Sequence, residues 1–409
     1  MVSVIDASLI DKSLGMDYYI YEGFNLSNIL EYRKSPKTFK VFEVSLDSTK
    51  ASADVCVKDG IVEDLINGHL HYVLCKEGID TFYAIQVLKR FFRGGIGYAG
   101  LKDSNSYSCQ FISLYSKHLK RLKEPIKTHY SLGPIKLCFY KCLNYPVRKG
   151  YLLGNIFNIL LYLKVPQEVA EKELSIAEEV LKTAILPNYY GYQRFGTIRP
   201  ITHLVGRAIV KGLWGDAVEL IAGSPYKQES SEVIKAREEF EAGNFIKAFR
   251  LFPSDYWIER RVCKSMALYG DPLKAINSLP IEIRNFYVEA YQSFLFNKAL
   301  SNALRVLGGV KGVIDVCETL VVPGSNMVLR NDTCSSLVYE VMEVEEVNRE
   351  DFVVRDLGIK CKSYVRESTF KIRDLSLKYS PEGVLLEFML PRGSYASIVL
   401  REIFKNTVY

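Results

Sequence analysis

The period of the hydrophobic pattern changes along this chain, and that change constrains the fold more than any other feature. Residues 38–46 (TFKVFEVSL) alternate as a half-buried strand does, and residues 108–116 (SCQFISLYS) and 155–163 (NIFNILLYL) are predicted as further strands. Helical patterns dominate from about residue 200 to 360, and the tail returns to a strand at 383–390. Together these patterns predict an α+β protein with a mixed or antiparallel sheet.

Two helices are predicted within the strand-rich first part. Residues 81–92 (TFYAIQVLKRFF) repeat apolar side chains at helical spacing, and Asp80 or Thr81 can cap the start. Residues 166–185 form a second amphipathic pattern.

A helical block interrupts two strand-rich parts of the chain, which indicates an inserted domain. At 409 residues the chain is too long for one ordinary domain. We expect residues 1–196 and 361–409 to form one domain, and residues 197–360 to form a mostly helical α+β insert.

Composition narrows the classes of protein. The net charge of +6 permits a polyanionic partner, and 27 Tyr with 21 Phe supply rings of the kind that stack on nucleobases. The nine cysteines include no CxxC motif, which argues against structural zinc and predicts reduced thiols. The N-terminus lacks a signal-peptide pattern and no apolar run reaches membrane-spanning length, so we expect a cytoplasmic protein.

One glycine motif suggests a nucleotide cofactor. Residues 95–100 (GIGYAG) match G-x-G-x-x-G, which binds dinucleotides when a strand precedes it and a helix follows. Here a basic helical pattern precedes the motif and a polar, strand-like segment follows it. Lys120 and Arg121 stand where the acidic ribose ligand belongs, so we reject this interpretation.

The same segment carries a carboxylate in a turn. Residues 97–110 read GYAGLKDSNSYSCQ, with Lys102-Asp103 between small residues and hydroxyl side chains. An Asp in such a loop is most often a cap or turn residue. The alternative is a carboxylate held for chemistry, because glycines allow the backbone to approach a ligand closely.

Six blocks in order resemble the TruD family of tRNA pseudouridine synthases. GYAGLKDSNSYSCQ resembles the family's G-x-A-G-x-K-D signature, and LPNYYGYQRFG (186–196) resembles its P-N-Y-F-G-x-Q-R-F-G signature. The other similar blocks are SPKTFKVFEV (35–44), LLGNIFNILL (152–161), VEAYQSFLFNKAL (288–300) and LPRGSYASIVLRE (390–402). The departures are modest: Lys37-Thr38 for an acidic pair, Ser108 for Thr and Tyr395 for Phe.

The resemblance implies an isomerase that converts a uridine of tRNA to pseudouridine without a cofactor or a metal ion. It implies a pseudouridine synthase catalytic domain with a helical insert, Asp103 as the essential carboxylate, and uridine 13 of tRNA as the default target, with uridine 35 possible. The alternative is a non-catalytic RNA-binding protein or RNA chaperone on the same fold. An intact Asp103 argues against it.

The resemblance also implies substrate-binding residues. The candidate pocket rings are Phe39, Phe157 and Tyr395, with Asn155 as the contact to the base edge or sugar. Packing alone could explain Phe157, and a turn role could explain Asn155. Lys102 or Arg33 could place a cation beside Asp103, and family analogy favours Arg33.

Phosphate contacts are expected from basic residues. Arg194 and Arg392 lie in blocks that resemble the family's and are the candidates. The basic segment 116–127 (SKHLKRLKEPIK) could also contact RNA, or could be an ordinary solvated loop.

Overall fold

The computed structural model describes residues 4–62, 68–115, 125–196, 198–328 and 330–406. Most of the basic segment predicted to contact RNA, residues 116–124, lies outside these ranges.

The described strands, in chain order, are β1 (Ile5–Asp6), β2 (Tyr18–Tyr19), β3 (Leu30–Glu31), β4 (Phe39–Val44), β5 (His69–Glu77), β6 (Ile96–Tyr98), β7 (Tyr107–Tyr115), β8 (His129–Leu132), β9 (Ile135–Leu143), β10 (Gly154–Leu163), β11 (Ile185–Pro187), β12 (Thr319–Val322), β13 (Val353–Val354), β14 (Ile359–Lys360), β15 (Tyr364–Glu367), β16 (Thr369–Lys371), β17 (Arg373–Ser380) and β18 (Gly383–Pro391).

Helices concentrate in the middle of the chain, as the sequence pattern predicts. The described α-helices are α1 (Leu9–Ser13), α2 (Thr81–Phe92), α3 (Gln167–Thr183), α4 (Thr202–Val210), α5 (Trp214–Ala222), α6 (Ser231–Glu241), α7 (Phe245–Leu251), α8 (Trp257–Tyr269), α9 (Pro272–Asn277), α10 (Ile281–Val306), α11 (Val310–Val316), α12 (Thr333–Val344) and α13 (Ala396–Phe404). The predicted cap of α2 is confirmed, since the Asp80 carboxylate accepts from the Tyr83 amide at 2.7 Å.

The chain folds as two compact units. The sheet unit comprises residues 23–185 and 370–396, and the helical unit comprises residues 1–22, 186–369 and 397–409. The predicted boundaries, 1–196 with 361–409 and 197–360, stay a prediction about functional domains.

Ten of the described strands form one mixed sheet, which confirms the predicted fold class. The order is β17-β18-β10-β4-β7-β5-β9-β8, with β3 pairing with β10 and β6 pairing with β7. The β4–β7 pair is parallel, and the other described strand pairs of this sheet are antiparallel.

Strand register determines which side chains share a face of the sheet. Phe157 of β10 lies opposite Val41 of β4 and Phe388 of β18. Val41 lies opposite Ser108 of β7, and Ser108 lies opposite Lys76 of β5. Directly opposed residues point to the same side, so these five residues share one face.

Helix α2 covers part of that face with apolar side chains. Ala84, Ile85 and Leu88 are buried against the sheet residues Leu74 and Ile112. This packing fixes the N-terminus of α2 beside the ends of β5 and β7.

Six of the nine cysteines are paired, so the prediction of reduced thiols is wrong for them. The disulfides are Cys56–Cys138, Cys75–Cys109 and Cys317–Cys334. Cys75 and Cys109 lie directly opposite each other on β5 and β7. Such proximity comes from strand register, which spacing along the chain does not reveal. Disulfides occur in secreted proteins and also in intracellular proteins of hyperthermophiles.

The helical unit is organised around α10, which is buried along most of its length. Helix α4 approaches it closely because Gly206 has no side chain: a Cβ there would lie 2.0 Å from the Tyr287 carbonyl oxygen. In the described part of the chain, no helix has the length and apolar character needed to cross a bilayer.

A buried carboxylate ties the ends of the helical unit together. Asp11 is fully buried and accepts hydrogen bonds from the Tyr19 and Tyr192 hydroxyls at 3.0 and 2.6 Å. The Arg401 guanidinium, also buried, donates to the same carboxylate at 2.9 Å. Burial and the Asp11 charge together raise the pKa of Tyr19 to about 12.

We expect Asp11→Asn to lower the free energy of unfolding of the helical unit by about 3 kcal/mol, because it leaves the Arg401 charge buried and unpaired. Both tryptophans, Trp214 and Trp257, belong to this unit, so tryptophan fluorescence during urea denaturation reports its unfolding. The control is Asp6→Asn, whose exposed ion pair with Lys12 should matter little. Equal stability of the two variants would contradict this account.

Candidate active site

Asp103 lies in the turn between β6 and β7, and its carboxylate forms an ion pair. The Lys34 ammonium lies 2.9 Å from the Asp103 Oδ2 atom. The Asp103 side chain is 28% exposed and that of Lys34 is 14% exposed. The carboxylate is therefore partly sheltered from water but still accessible to a ligand.

The main chain of this turn is held by a buried lysine. Lys76 stands near the end of β5 and is 1% exposed. Its ammonium donates to the carbonyl oxygens of Ile79 and Asp103, both at 2.7 Å, and of Lys102 at 3.3 Å. Burial lowers the pKa of Lys76 to about 8, although the Asp103 charge opposes the shift. These bonds fix the backbone of Asp103 without occupying its carboxylate.

A second set of hydrogen bonds holds the turn from the α2 side. The Thr81 hydroxyl accepts from the Lys102 amide at 2.8 Å and donates to the Gln110 side chain at 2.9 Å. The Gln110 amide group in turn donates to the Gly100 carbonyl at 3.2 Å. Most polar groups of this glycine-rich and hydroxyl-rich segment therefore form hydrogen bonds within the fold, and these bonds stabilise the turn.

The glycine before the turn allows another segment to come close. A Cβ at Gly97 would lie 2.3 Å from the Val147 carbonyl oxygen, so a side chain there would displace the backbone. Gly97 lies within β6, so the G-x-G-x-x-G match is a strand leading into a turn rather than the start of a helix.

Lys102 contacts a different carboxylate from the one predicted. Its ammonium lies 2.9 Å from Glu43 Oε1, and both side chains are buried. The second oxygen of Glu43 accepts from the Phe111 amide at 3.0 Å. This pair attaches the turn to β4 and β7, because Glu43 lies on the central part of the sheet.

Four rings form an aromatic wall that begins beside Lys34. The Lys34 ammonium lies 4.9 Å from the centroid of the Phe39 ring. The Phe39 ring is 6.0 Å from Phe157, which stacks on Phe388 at 5.4 Å, and Tyr32 packs edge-on against Phe39 at 6.5 Å. Burial and the Asp103 charge raise the pKa of Tyr32, so its hydroxyl stays neutral. Phe39 and Phe157 are buried, so packing accounts for most of their surface.

Asn155 offers a polar group on the same face of the sheet. It precedes Phe157 by two residues and lies opposite Glu43 on β4 and Leu390 on β18. Its side-chain oxygen is buried without a hydrogen-bond partner among the described residues. A buried acceptor without a partner is costly, so this oxygen is suited to receive a donor from a ligand.

The predicted cation Arg33 lies one residue from the observed one. Arg33 is exposed and forms a bidentate pair with Glu31, whereas Lys34 reaches Asp103. Consecutive residues before β4 point in different directions, and the sequence does not show which one faces the turn. The roles predicted for Arg33 and Lys102 in substrate binding stay predictions.

The remaining predicted residues lie in both units. Arg392 is exposed after β18 and donates to the Gly150 carbonyl at 2.6 Å, and Tyr395 is half-buried just before α13. Arg194 belongs to the helical unit, where it forms an ion pair with Glu289 at 3.0 Å.

Sequence reasoning missed four residues of this site. These residues are Tyr32, Lys34, Lys76 and Phe388. The available signal was the lysine that follows the apolar strand HLHYVLC, since a cation in a buried strand needs partners.

In the described ranges, no group of three or more His, Cys, Asp or Glu residues is placed to hold a metal ion.

We expect Lys76→Met to loosen the Asp103 turn, because the three carbonyl oxygens lose their charged donor. Amide hydrogen exchange of residues 100–106 should accelerate by about tenfold or more, which corresponds to about 1.4 kcal/mol of local stability. Lys40→Met is the matched control, since Lys40 is exposed on β4. Unchanged exchange in the Lys76 variant would show that other contacts hold the turn.

The chain is similar over nearly its whole length to one protein family. The family profile described as tRNA pseudouridine synthase D (TruD) matches residues 13–315 and 311–403. A protein of Saccharolobus solfataricus named "Probable tRNA pseudouridine synthase D" is 32% identical over 398 residues, which is 97% of each chain. A protein of Methanocaldococcus jannaschii named "Probable tRNA pseudouridine synthase D 1" is 30% identical and covers 96% of this chain and 99% of its own.

A solved structure has the same fold. The crystal structure of a protein from Methanosarcina mazei described as "Putative tRNA pseudouridine synthase D (TruD)" superposes with a TM-score of 0.68 at 22% identity, covering 98% of this chain and 99% of that chain. At this identity the likeness concerns the fold. The match of the family profile and the two relatives at 30% identity or more carry the assignment: the chain belongs to the tRNA pseudouridine synthase D (TruD) family of isomerases.

Proposed function

We propose that this protein isomerises a uridine of tRNA to pseudouridine and that Asp103 is its essential catalytic residue. The observation that carries the proposal is the partly exposed Asp103 carboxylate, paired with Lys34 beside an aromatic wall. Membership of the family supports a tRNA substrate. The family resemblance favours uridine 13, with uridine 35 as the second candidate, and the cytoplasm as the compartment.

The reaction conserves all atoms of the uridine. The bond from N1 of uracil to C1′ breaks, the base rotates, C5 bonds to C1′, and the proton on C5 is lost while N1 gains one. Asp103 either attacks C1′ or removes the proton from C2′, and both roles need an ionised carboxylate. The Lys34 ammonium lies 2.9 Å from the Asp103 Oδ2 atom, so the ion pair orients the carboxylate for either role.

The target uridine has to leave the base stack to reach Asp103. In this proposal, Phe39 and Phe157 form the apolar backing of the pocket, and half-buried Tyr395 presents a ring face to uracil. The unpaired oxygen of Asn155 accepts a hydrogen bond from N3–H of the base or from a ribose hydroxyl.

The other predicted basic residues either contact the RNA or support the turn. We propose that Arg33, Arg392 and Arg194 contact phosphates, and that Lys102 acts through its bond to Glu43 by holding the turn. The domains assigned to catalysis are 1–196 with 361–409, and 197–360 is assigned to the insert.

We expect Asp103→Asn to abolish isomerisation while tRNA affinity and folding stay nearly unchanged, because the substitution keeps the shape and removes the charge. Tritium release from tRNA labelled at C5 of uridine measures turnover, and mapping of the product identifies the modified position. Asp54→Asn, at an exposed site of the sheet unit, is the control. Activity of the Asp103 variant within tenfold of wild type would refute the catalytic role of Asp103. If the wild-type protein binds tRNA without forming pseudouridine, the alternative of a non-catalytic RNA-binding protein is favoured.

Substitution of the two neighbouring cations distinguishes the observed partner of Asp103 from the predicted one. Lys34→Met should lower kcat by about 100-fold, because the carboxylate loses its fixed counter-charge. Arg33→Met should raise KM and leave kcat within about threefold, since Arg33 pairs with Glu31. The reverse pattern in single-turnover assays would mean that Arg33 serves Asp103 in the RNA complex.

A further inference from the structure

Helix α8 (Trp257–Tyr269) of the helical unit presents an exposed face that the proposed chemistry does not use. Trp257, Arg261, Lys264 and Leu268 follow one another at intervals of three or four residues, so they share one side of the helix. Trp257 is 44% exposed and Leu268 is 63% exposed, whereas Val262 on another side is fully buried. Exposed apolar and aromatic side chains beside two cations on one helix face make this face a candidate contact site.

A groove of about 510 Å³ lies along this face. We call it the α8 groove; its lining residues include Trp257, Arg260, Arg261, Lys264, Leu268 and Tyr269. Its volume is in the range of sites that hold small organic groups, such as a nucleoside.

The charges that line the α8 groove are all positive. Arg260 is engaged by the fold, since its guanidinium donates to the Phe249 and Phe252 carbonyls at 2.9 and 2.6 Å. Arg261 and Lys264 are exposed, and among the described residues they form no ion pair or side-chain hydrogen bond. Two unpaired cations therefore stand beside exposed rings without an acidic lining residue.

A buried hydroxyl in the groove also lacks a partner. Ser265 lines the groove, is 5% exposed, and its Oγ atom makes no hydrogen bond within the described structure. A serine within a helix commonly bonds to the carbonyl four residues earlier. The free Ser265 hydroxyl is thus available to donate to, or accept from, a bound polar group.

We propose that the α8 groove binds an unpaired segment of the substrate RNA, with Arg261 and Lys264 on phosphates and a base stacked on Trp257. This inference rests on the proposed function. Cations next to exposed aromatic rings match the phosphate and the flat base of a single-stranded nucleotide. An acidic protein segment would satisfy the charges but not the indole face, and bases within a duplex cannot stack on side chains.

The first test measures tRNA affinity against salt concentration, in the full-length Asp103→Asn protein so that no turnover occurs. Arg261→Gln combined with Lys264→Gln should weaken binding by about tenfold. It should also make the plot of log affinity against log salt shallower by about 1.4, from two lost phosphate contacts. The matched control is Lys235→Gln combined with Lys311→Gln, which removes two exposed charges elsewhere in the same unit.

The second test reads base stacking directly. Trp214→Phe leaves Trp257 as the only tryptophan, because the chain has two. Addition of tRNA, or of a single-stranded RNA oligonucleotide, should quench its emission, and the Arg261/Lys264 double variant should need about tenfold more RNA.

The salt dependence and the tryptophan quenching each decide whether the α8 groove binds RNA. An unchanged salt dependence, an equal loss in the control pair, or the absence of quenching with tRNA would overturn the proposal. These readouts do not depend on isomerisation. Failure of the proposed function would instead be seen as tRNA that binds and quenches Trp257 but acquires no pseudouridine from the wild-type protein.

Discussion

The bond network of the Lys76 ammonium is the interaction on which the candidate active site depends. It joins the end of β5 to the turn that carries Asp103 through main-chain carbonyls at 2.7 to 3.3 Å. Because these bonds use the backbone, they do not compete with the ion pair between the Asp103 carboxylate and Lys34. A buried cation is costly unless its hydrogen bonds are satisfied, so the Lys76 ammonium and the carbonyl oxygens of the turn stabilise each other.

The sheet supplies the second requirement, which is an apolar surface next to that carboxylate. Phe39, Phe157 and Phe388 come from three different strands and meet because side chains alternate with a period of two. A shift of one residue in the register of β10 would turn both Phe157 and Asn155 to the opposite face. The position of the pocket is therefore a consequence of strand pairing.

The helical unit contains buried charges that stabilise its fold and exposed charges that are available to bind a ligand. Asp11 and Arg401 are buried and paired with each other, and the Asp11 carboxylate also accepts hydrogen bonds from the Tyr19 and Tyr192 hydroxyls. Arg261 and Lys264 lie exposed beside aromatic rings and, within the described residues, lack partners. Buried pairs of the first kind hold a fold together, whereas exposed cations of the second kind are suited to a polyanion.

The sequence by itself determined the element types, because helix and strand periods are local: the helix at 81–92 is α2, and the strand at 155–163 is β10 within one residue. It also placed Asp103 in a turn. Only the tertiary structure decided that Lys34, 69 residues away, meets Asp103, and that Cys75 faces Cys109. The physical reason is that long-range partners are selected by strand pairing and register, and local patterns carry no information about which distant residue will lie opposite.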